Sequence, residues 1–198
     1  MMFSKLSNAR ILALPVILSL GACVSFGGKA PPSMLVLTAD NSVSAGAARI
    51  ASATEVLVIQ TPEVPRKLDT NRVPVQIDAS SIAYLKDAFW ADKPARLMQQ
   101  LLSETVSAKS GNLVLSEVDA GGKAARFISG SLLEFGVDAA ANEAVVVFDA
   151  VKIIRGNPTE KRRFEARRPV TAVEAKPVGA ALNDAANDVA TQIADWAN

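Results

Sequence analysis

Among its 198 residues the chain has no histidine, and it has one cysteine, Cys23. Histidine is the commonest general base and a leading metal ligand, so its absence removes most routes to acid–base catalysis near neutral pH. No Ser-His-Asp or Cys-His arrangement can form, and a zinc site would have to be built from carboxylates alone. A lone cysteine closes no disulfide within the chain. Phosphate-cradling glycine loops are also missing, since the glycine pairs at 27–28 and 121–122 are isolated. Carboxylate chemistry or a Ser-Lys dyad survives this filter. The one dyad-like spacing, Ser107 to Lys109, falls at a polar helix end and reads as a solvated terminus. The residues therefore nominate no catalytic, cofactor-binding or metal-binding site, and a non-enzymatic role is expected. The N-terminal apolar run, Ile11 to Leu20, has ten residues. That is too short for a membrane-crossing helix, which needs about 20.

What is present explains where the cysteine sits. Residues 1–22 carry Lys5 and Arg10 and no acidic residue, and small Gly21 and Ala22 follow the apolar run. A basic start, a short apolar core and small residues at its end are the secretory signal pattern. Leu20-Gly21-Ala22-Cys23 resembles the bacterial lipoprotein lipobox, Leu-x-(Gly/Ala)-Cys. The resemblance implies that the Cys23 sulfur receives a diacylglyceryl group, that cleavage precedes Cys23, and that the new amino group is acylated, typically by a palmitate-type chain. A second acyl chain turns marginal membrane binding into stable anchoring. Val24, rather than an aspartate, follows the cysteine, which in enterobacterial lipoproteins favours the periplasmic face of the outer membrane over the inner membrane.

The expected organisation is a signal peptide over 1–22, a lipidated tether over 23–33 and one domain over 34–198. The tether carries two Gly and two Pro in Val24–Ser33. Fully extended, it would reach about 35 Å. Removing residues 1–22 leaves 176 residues (198 − 22) with 19 basic and 20 acidic side chains, a formal charge of −1. That balance offers no basic face for nucleic acid.

Along the domain, 34–38 reads as a short strand, and 54–61 as a strand apolar on both sides, hence central and covered twice. The stretch 62–72 is a loop, with prolines at 62 and 65, and 73–80 and 82–89 are further extended segments. Asp92 and Pro94 then start a helix that Gly111 stops, with Leu97, Met98, Leu101, Leu102 and Val106 on one stripe. A strand at 113–118 follows. Residues 126–137 and 141–155 form a hairpin, with Phe127, Leu133, Phe135 and Val137 expected on one face, and Arg162–Val170 returns as a third strand. Its arginines, 162, 163, 167 and 168, read as the charged guard of an edge strand, with an anionic partner as the alternative. After Pro177 a last helix carries Val178, Leu182, Ala185, Val189, Ile193 and Trp196 on one stripe, with Asn183, Asp184, Asn187, Asp188 and Asp195 off it. Trp90 and Trp196 read as core or interface aromatics. The expected fold class is α+β: a mainly antiparallel sheet with two amphipathic helices on one face.

With that order in hand, the chain resembles the ABC-type transport auxiliary lipoproteins, the family of the outer-membrane lipoprotein of the paraquat-inducible Pqi system. The resemblance rests on "VLVIQTPEVPRKLDTNRVPVQ", on "FWADKPARLMQQLLSETV" around Trp90, on "LLEFGVD" and on the closing amphipathic helix. Lys93, between Asp92 and Pro94, departs from the commonest spacing of that pattern. The resemblance implies an accessory to an MCE-domain protein and an ABC permease and ATPase, serving lipid transport between the inner and outer membranes. It transfers no catalytic residue. Self-association is left open. The alternative is an envelope lipoprotein that binds or regulates another periplasmic machine, such as a cell-wall synthase.

Overall fold

The computed structural model describes residues 33–198. The signal, Cys23 and the tether up to Pro32 lie outside the described residues. Leu57–Ile59 is strand β1, Arg72–Gln76 is β2 and Ile82–Phe89 is β3, with a 3-10 turn at Arg66–Leu68. Helix α1 spans Pro94–Ser110, β4 Val114–Leu115, and α2 is a single turn, Glu117–Ala120. The long strands β5 (Arg126–Asp138), β6 (Glu143–Ile154) and β7 (Glu160–Pro169) precede helix α3, Ala175–Ala197.

The sheet is mixed: its long pairings are antiparallel, as expected, but three short ones are parallel. β5, β6 and β7 form the antiparallel meander that the sequence predicts, and β2 pairs antiparallel with β3. The free edge of β5 is shared instead by two short strands that run parallel to it, β1 along its first half and β2 along its end. β4 adds in parallel to β1. Short strands joined by long connections carry no hairpin turn to fix their direction, so periodicity alone could not give it.

Packing decides the rest. α1 and α3 lie together on one face, where Leu97, Met98, Leu101, Leu102 and Val106 meet Val178, Leu182, Ala185, Val189 and Ile193, all buried. Gly111 ends α1 in the left-handed conformation, φ 70°, that a side chain disfavours. α3 starts at Ala175, before Pro177 rather than after it, because proline is tolerated in the first turn, where its missing N–H has no intrahelical partner. β1 is central, as expected. Leu57 and Ile59 face the helices, while Val56 and Val58 join Ala124 in a second cluster under the loop at Ala51 and the turn of α2.

One facing assignment fails for a local reason. The β5–β6 register slips between Leu132 and Glu134, a bulge that inserts one residue at Leu133. Phe135 and Val137 face the helices, but before the bulge that face passes to Leu132 and Ile128, which are buried, while Phe127 turns to the second cluster. Gly130 is opposite Ala150 in this hairpin, and a side chain there would lie 2.0 Å from the Asp149 carbonyl oxygen, so only glycine fits. The strand expected at 34–38 is an extended strap with one bridge, Leu35 to Trp90. The strand expected at 113–118 is the two-residue β4 followed by α2.

Candidate functional site

Two surfaces carry the polar side chains. The first is the sheet face away from the helices, where the long side chains of β7 lie over β6. Val145 and Val147 are under 10% exposed without a helix above them, at 7% and 8%. They are opposite Arg167 and Glu165 of β7, and Gly136 and Glu134 of β5. The aliphatic stems of such side chains can cover apolar surface while their charged ends stay in water.

Every arginine of β7 has a partner on the chain. Arg163 reaches Asp149 with two hydrogen bonds, 2.6 and 2.9 Å, and Lys161 stands 3.1 Å from the same carboxylate. Hydrogen bonding from Arg163, opposed by burial and aided by Lys161, holds the Asp149 carboxyl down at about 2. Arg167 bonds Glu165 and approaches Glu143 and Asp138, and Arg168 pairs with Asp188 on α3 at 2.8 Å. Arg162 lies over the Phe164 ring. β7 pairs only with β6, so it is the charged edge strand that the sequence leads one to expect.

Near the end of β5 this face deepens into a groove of about 540 Å³. Pro74, Gly136 and Val145 line it, with Ile77 and Ala140 towards the sheet end and the Lys67–Glu134 pair, 2.7 Å, on its wall. The Cβ of a residue replacing Gly136 would meet the Pro74 carbonyl at 2.4 Å, so the close approach of β2 and β5 behind the groove depends on glycine. The groove can receive a side chain or a small apolar group. Among the described residues no cluster of acidic side chains has the spacing to hold a metal ion. Ser107 and Lys109 do not face each other: the Ser107 hydroxyl accepts from Arg49, and Lys109 pairs with Asp195 at 3.0 Å.

The second surface is the helical layer, crossed by the strap of residues 33–49. The Leu35 N–H bonds the Phe89 carbonyl. Asn183 accepts from the Thr38 N–H at 2.8 Å. Asn187 accepts from the Asp40 N–H at 2.9 Å and donates to the Thr38 carbonyl at 2.8 Å. Glu104 on α1 accepts from the Val43 N–H, and the Arg49 guanidinium bonds the Ser107 and Asn112 carbonyls. Asn187 is 3% exposed, although the helical spacing puts it off the apolar stripe. The Asn183–Asn187 pair, four residues apart on one helix face, is the signal that sequence reading missed. Trp90 is fully buried against Phe135, centroids 4.9 Å apart. Trp196 is half-buried, and its N–H donates to Glu160 at 2.6 Å, so both tryptophans are structural.

Known structures share this architecture. A crystal structure of a DUF330 family protein from Xanthomonas campestris superposes with a TM-score of 0.66 at 16% identity, covering 83% of this chain and 94% of that one. A second crystal structure, of an uncharacterized protein, gives 0.64 at 14% identity, covering 73% and 92%. A search of curated proteins finds no match. The sequence pattern of the family of ABC-type transport auxiliary lipoprotein components matches residues 37–194, from the strap through the hairpin to the last turns of α3. By that match the chain belongs to the ABC-type transport auxiliary lipoprotein family.

Proposed function

We propose that this chain is a lipid-anchored auxiliary of an ABC-type transport system and acts by binding, not by turnover. The observation that carries this reading is the family match over residues 37–194, nearly the whole described domain. In the finer form of the reading, residues 1–22 are a signal peptide, and Cys23 carries an S-diacylglyceryl group and an N-acyl chain. Residues 23–33 tether the domain to the periplasmic face of the outer membrane. The partner is an MCE-domain protein acting with an ABC permease and ATPase in lipid transport between the membranes. The basic start, the short apolar run and the small residues before the single cysteine support the anchor. A tether of about 35 Å reaches only part of the way between the membranes, so the partner must itself extend towards the domain.

Metabolic labelling with a radioactive fatty acid tests the anchor. Wild type incorporates label and runs as the processed form, whereas Cys23→Ala stays unlabelled and unprocessed. Equal label on both proteins overturns the anchor.

A further inference from the structure

The course of the strap gives the domain a direction. β2 and β5 end together at Gln76 and Asp138, the β5–β6 turn follows, and the Val170 N–H at the end of β7 bonds Asn142 in that turn. α3 begins five residues later, so its N-terminus lies at this same pole. At the other pole Arg126, which starts β5, bonds both the Ala197 carbonyl at the end of α3 and Asn112 just beyond α1. Along the strap, Leu35 abuts Gly179, Thr38 meets Asn183, Asp40 meets Asn187, and Arg49 reaches Asn112. The strap therefore runs in the direction of α3, and the chain enters the domain at the first pole. α3, with its 23 residues, is about 34 Å long. The second pole thus stands about one domain length further along the chain's path.

The exposed large apolar side chains follow this polarity. Of the seven among the described residues, Met34, Val36, Ile77, Ile82 and Val173 lie at or next to the entry pole, and only Ile50 and Val118 lie towards the other. Met34 is 54% exposed, Ile77 49% and Ile82 42%. Some of the charged groups at this pole have partners on the chain. Arg167 engages Asp138 and Glu143, and the Asp78 carboxylate accepts from the Ser80 N–H and hydroxyl.

We propose that the entry pole rests on the lipid bilayer, with Ile77 of the β2–β3 turn, Ile82 at the start of β3, Val173 and Met34 in its interfacial layer. This rests on the anchoring of Cys23 proposed above. Ser33 is ten residues beyond Cys23, so an anchored chain holds this pole within about 35 Å of the headgroups, where even weak apolar contact is reinforced by local concentration. Asp78, next to Ile77, limits the contact to the boundary between headgroups and acyl chains. The groove beside Pro74 and Gly136 opens near the same turn, through Ile77, Asp78 and Ala140, and so faces the bilayer obliquely.

The test uses the full acylated chain, purified from membranes and reconstituted in phosphatidylethanolamine vesicles with a minor fraction of phosphatidylglycerol. With Cys23 acylated, a cysteine introduced singly at position 77, 82, 50 or 118 is the only free thiol. An environment-sensitive fluorophore there is read against a nitroxide-labelled lipid. The expected result is quenching about threefold stronger for Ile77→Cys and Ile82→Cys than for Ile50→Cys and Val118→Cys, at the depth of about 5–10 Å typical of interfacial contact. A second arm combines Ile77→Asp and Ile82→Asp. It should abolish the quenching of a label at Val173→Cys without changing co-flotation with the vesicles. Equal quenching at both poles, or stronger quenching at positions 50 and 118, overturns the inference while leaving the anchor intact. Failure of the wild type to float with the vesicles overturns the anchor, and the inference with it.

Discussion

Asn187→Ala removes the side chain that ties the strap to α3. Two of its hydrogen bonds go to the strap, from the Asp40 N–H at 2.9 Å and to the Thr38 carbonyl at 2.8 Å. A third goes to the Asn183 carbonyl on its own helix, at 3.0 Å. Each protein–protein hydrogen bond contributes about 0.5–1.5 kcal/mol net, so the two strap bonds are together worth about 1–3 kcal/mol. Thr38 and Asp40 are exposed residues, so water can replace the lost partners, and this favours the lower half of that range. The loss should be local. At 1.4 kcal/mol per tenfold, that lower half, about 1–2 kcal/mol, should accelerate amide exchange at Asp40, the residue that loses its acceptor, by about 5- to 27-fold. Amides in the β5–β6 hairpin should change only as far as global stability does. Hydrogen exchange read by mass spectrometry or NMR measures both, with Asp184→Ala, an exposed position on the same helix, as the control. Unchanged exchange at Asp40 in Asn187→Ala would refute the strap account, because the bonds would then do no work in holding the segment down.

Leu182→Ala truncates a fully buried residue of the α3 stripe and should cost about 2–5 kcal/mol in denaturant unfolding; a loss under about 0.5 kcal/mol would mean that α3 does not belong to the core. The Asp149 carboxyl is lowered from 3.8 to about 2, chiefly by Arg163. A carboxyl lowered by folding stabilises the protein above its unfolded value and loses that contribution as pH falls through the folded value. Stability should therefore decline between about pH 4 and pH 2. Asp149→Asn should flatten that part of the profile in thermal melts, and an unchanged profile would show that the Arg163 pair is not formed in solution.

How far the sequence revealed the fold follows from how local each signal is. α1 was legible because Pro94, the apolar stripe and Gly111 all act within the helix itself. The β5–β6–β7 meander was legible because short turns fix antiparallel direction. The parallel strands β1 and β2 were legible as strands but not in their pairing, which is set by packing against β5 across long connections. The bulge at Leu133 was invisible because both Leu132 and Leu133 suit an inward position, and only the partner strand decides between them. Asn187 was misread because helical spacing shows which side chains turn away from the apolar stripe but not what chain segment covers them. The pairing of the β7 arginines was half legible: the edge role follows from charge density, but, Glu165 on β7 itself aside, their acidic partners come from three other elements, β5, β6 and α3.

The central claim, that the chain serves an ABC-type transport assembly by binding, is tested most directly by capture of the intact protein from its own membranes. The full acylated chain, carrying a C-terminal affinity tag, is cross-linked in cells, extracted in detergent and purified, and the co-purifying proteins are identified by mass spectrometry. The account predicts recovery of an MCE-domain protein, with the ABC permease and ATPase in lower yield, from wild type. Recovery of cell-wall synthases with no transport component would contradict it.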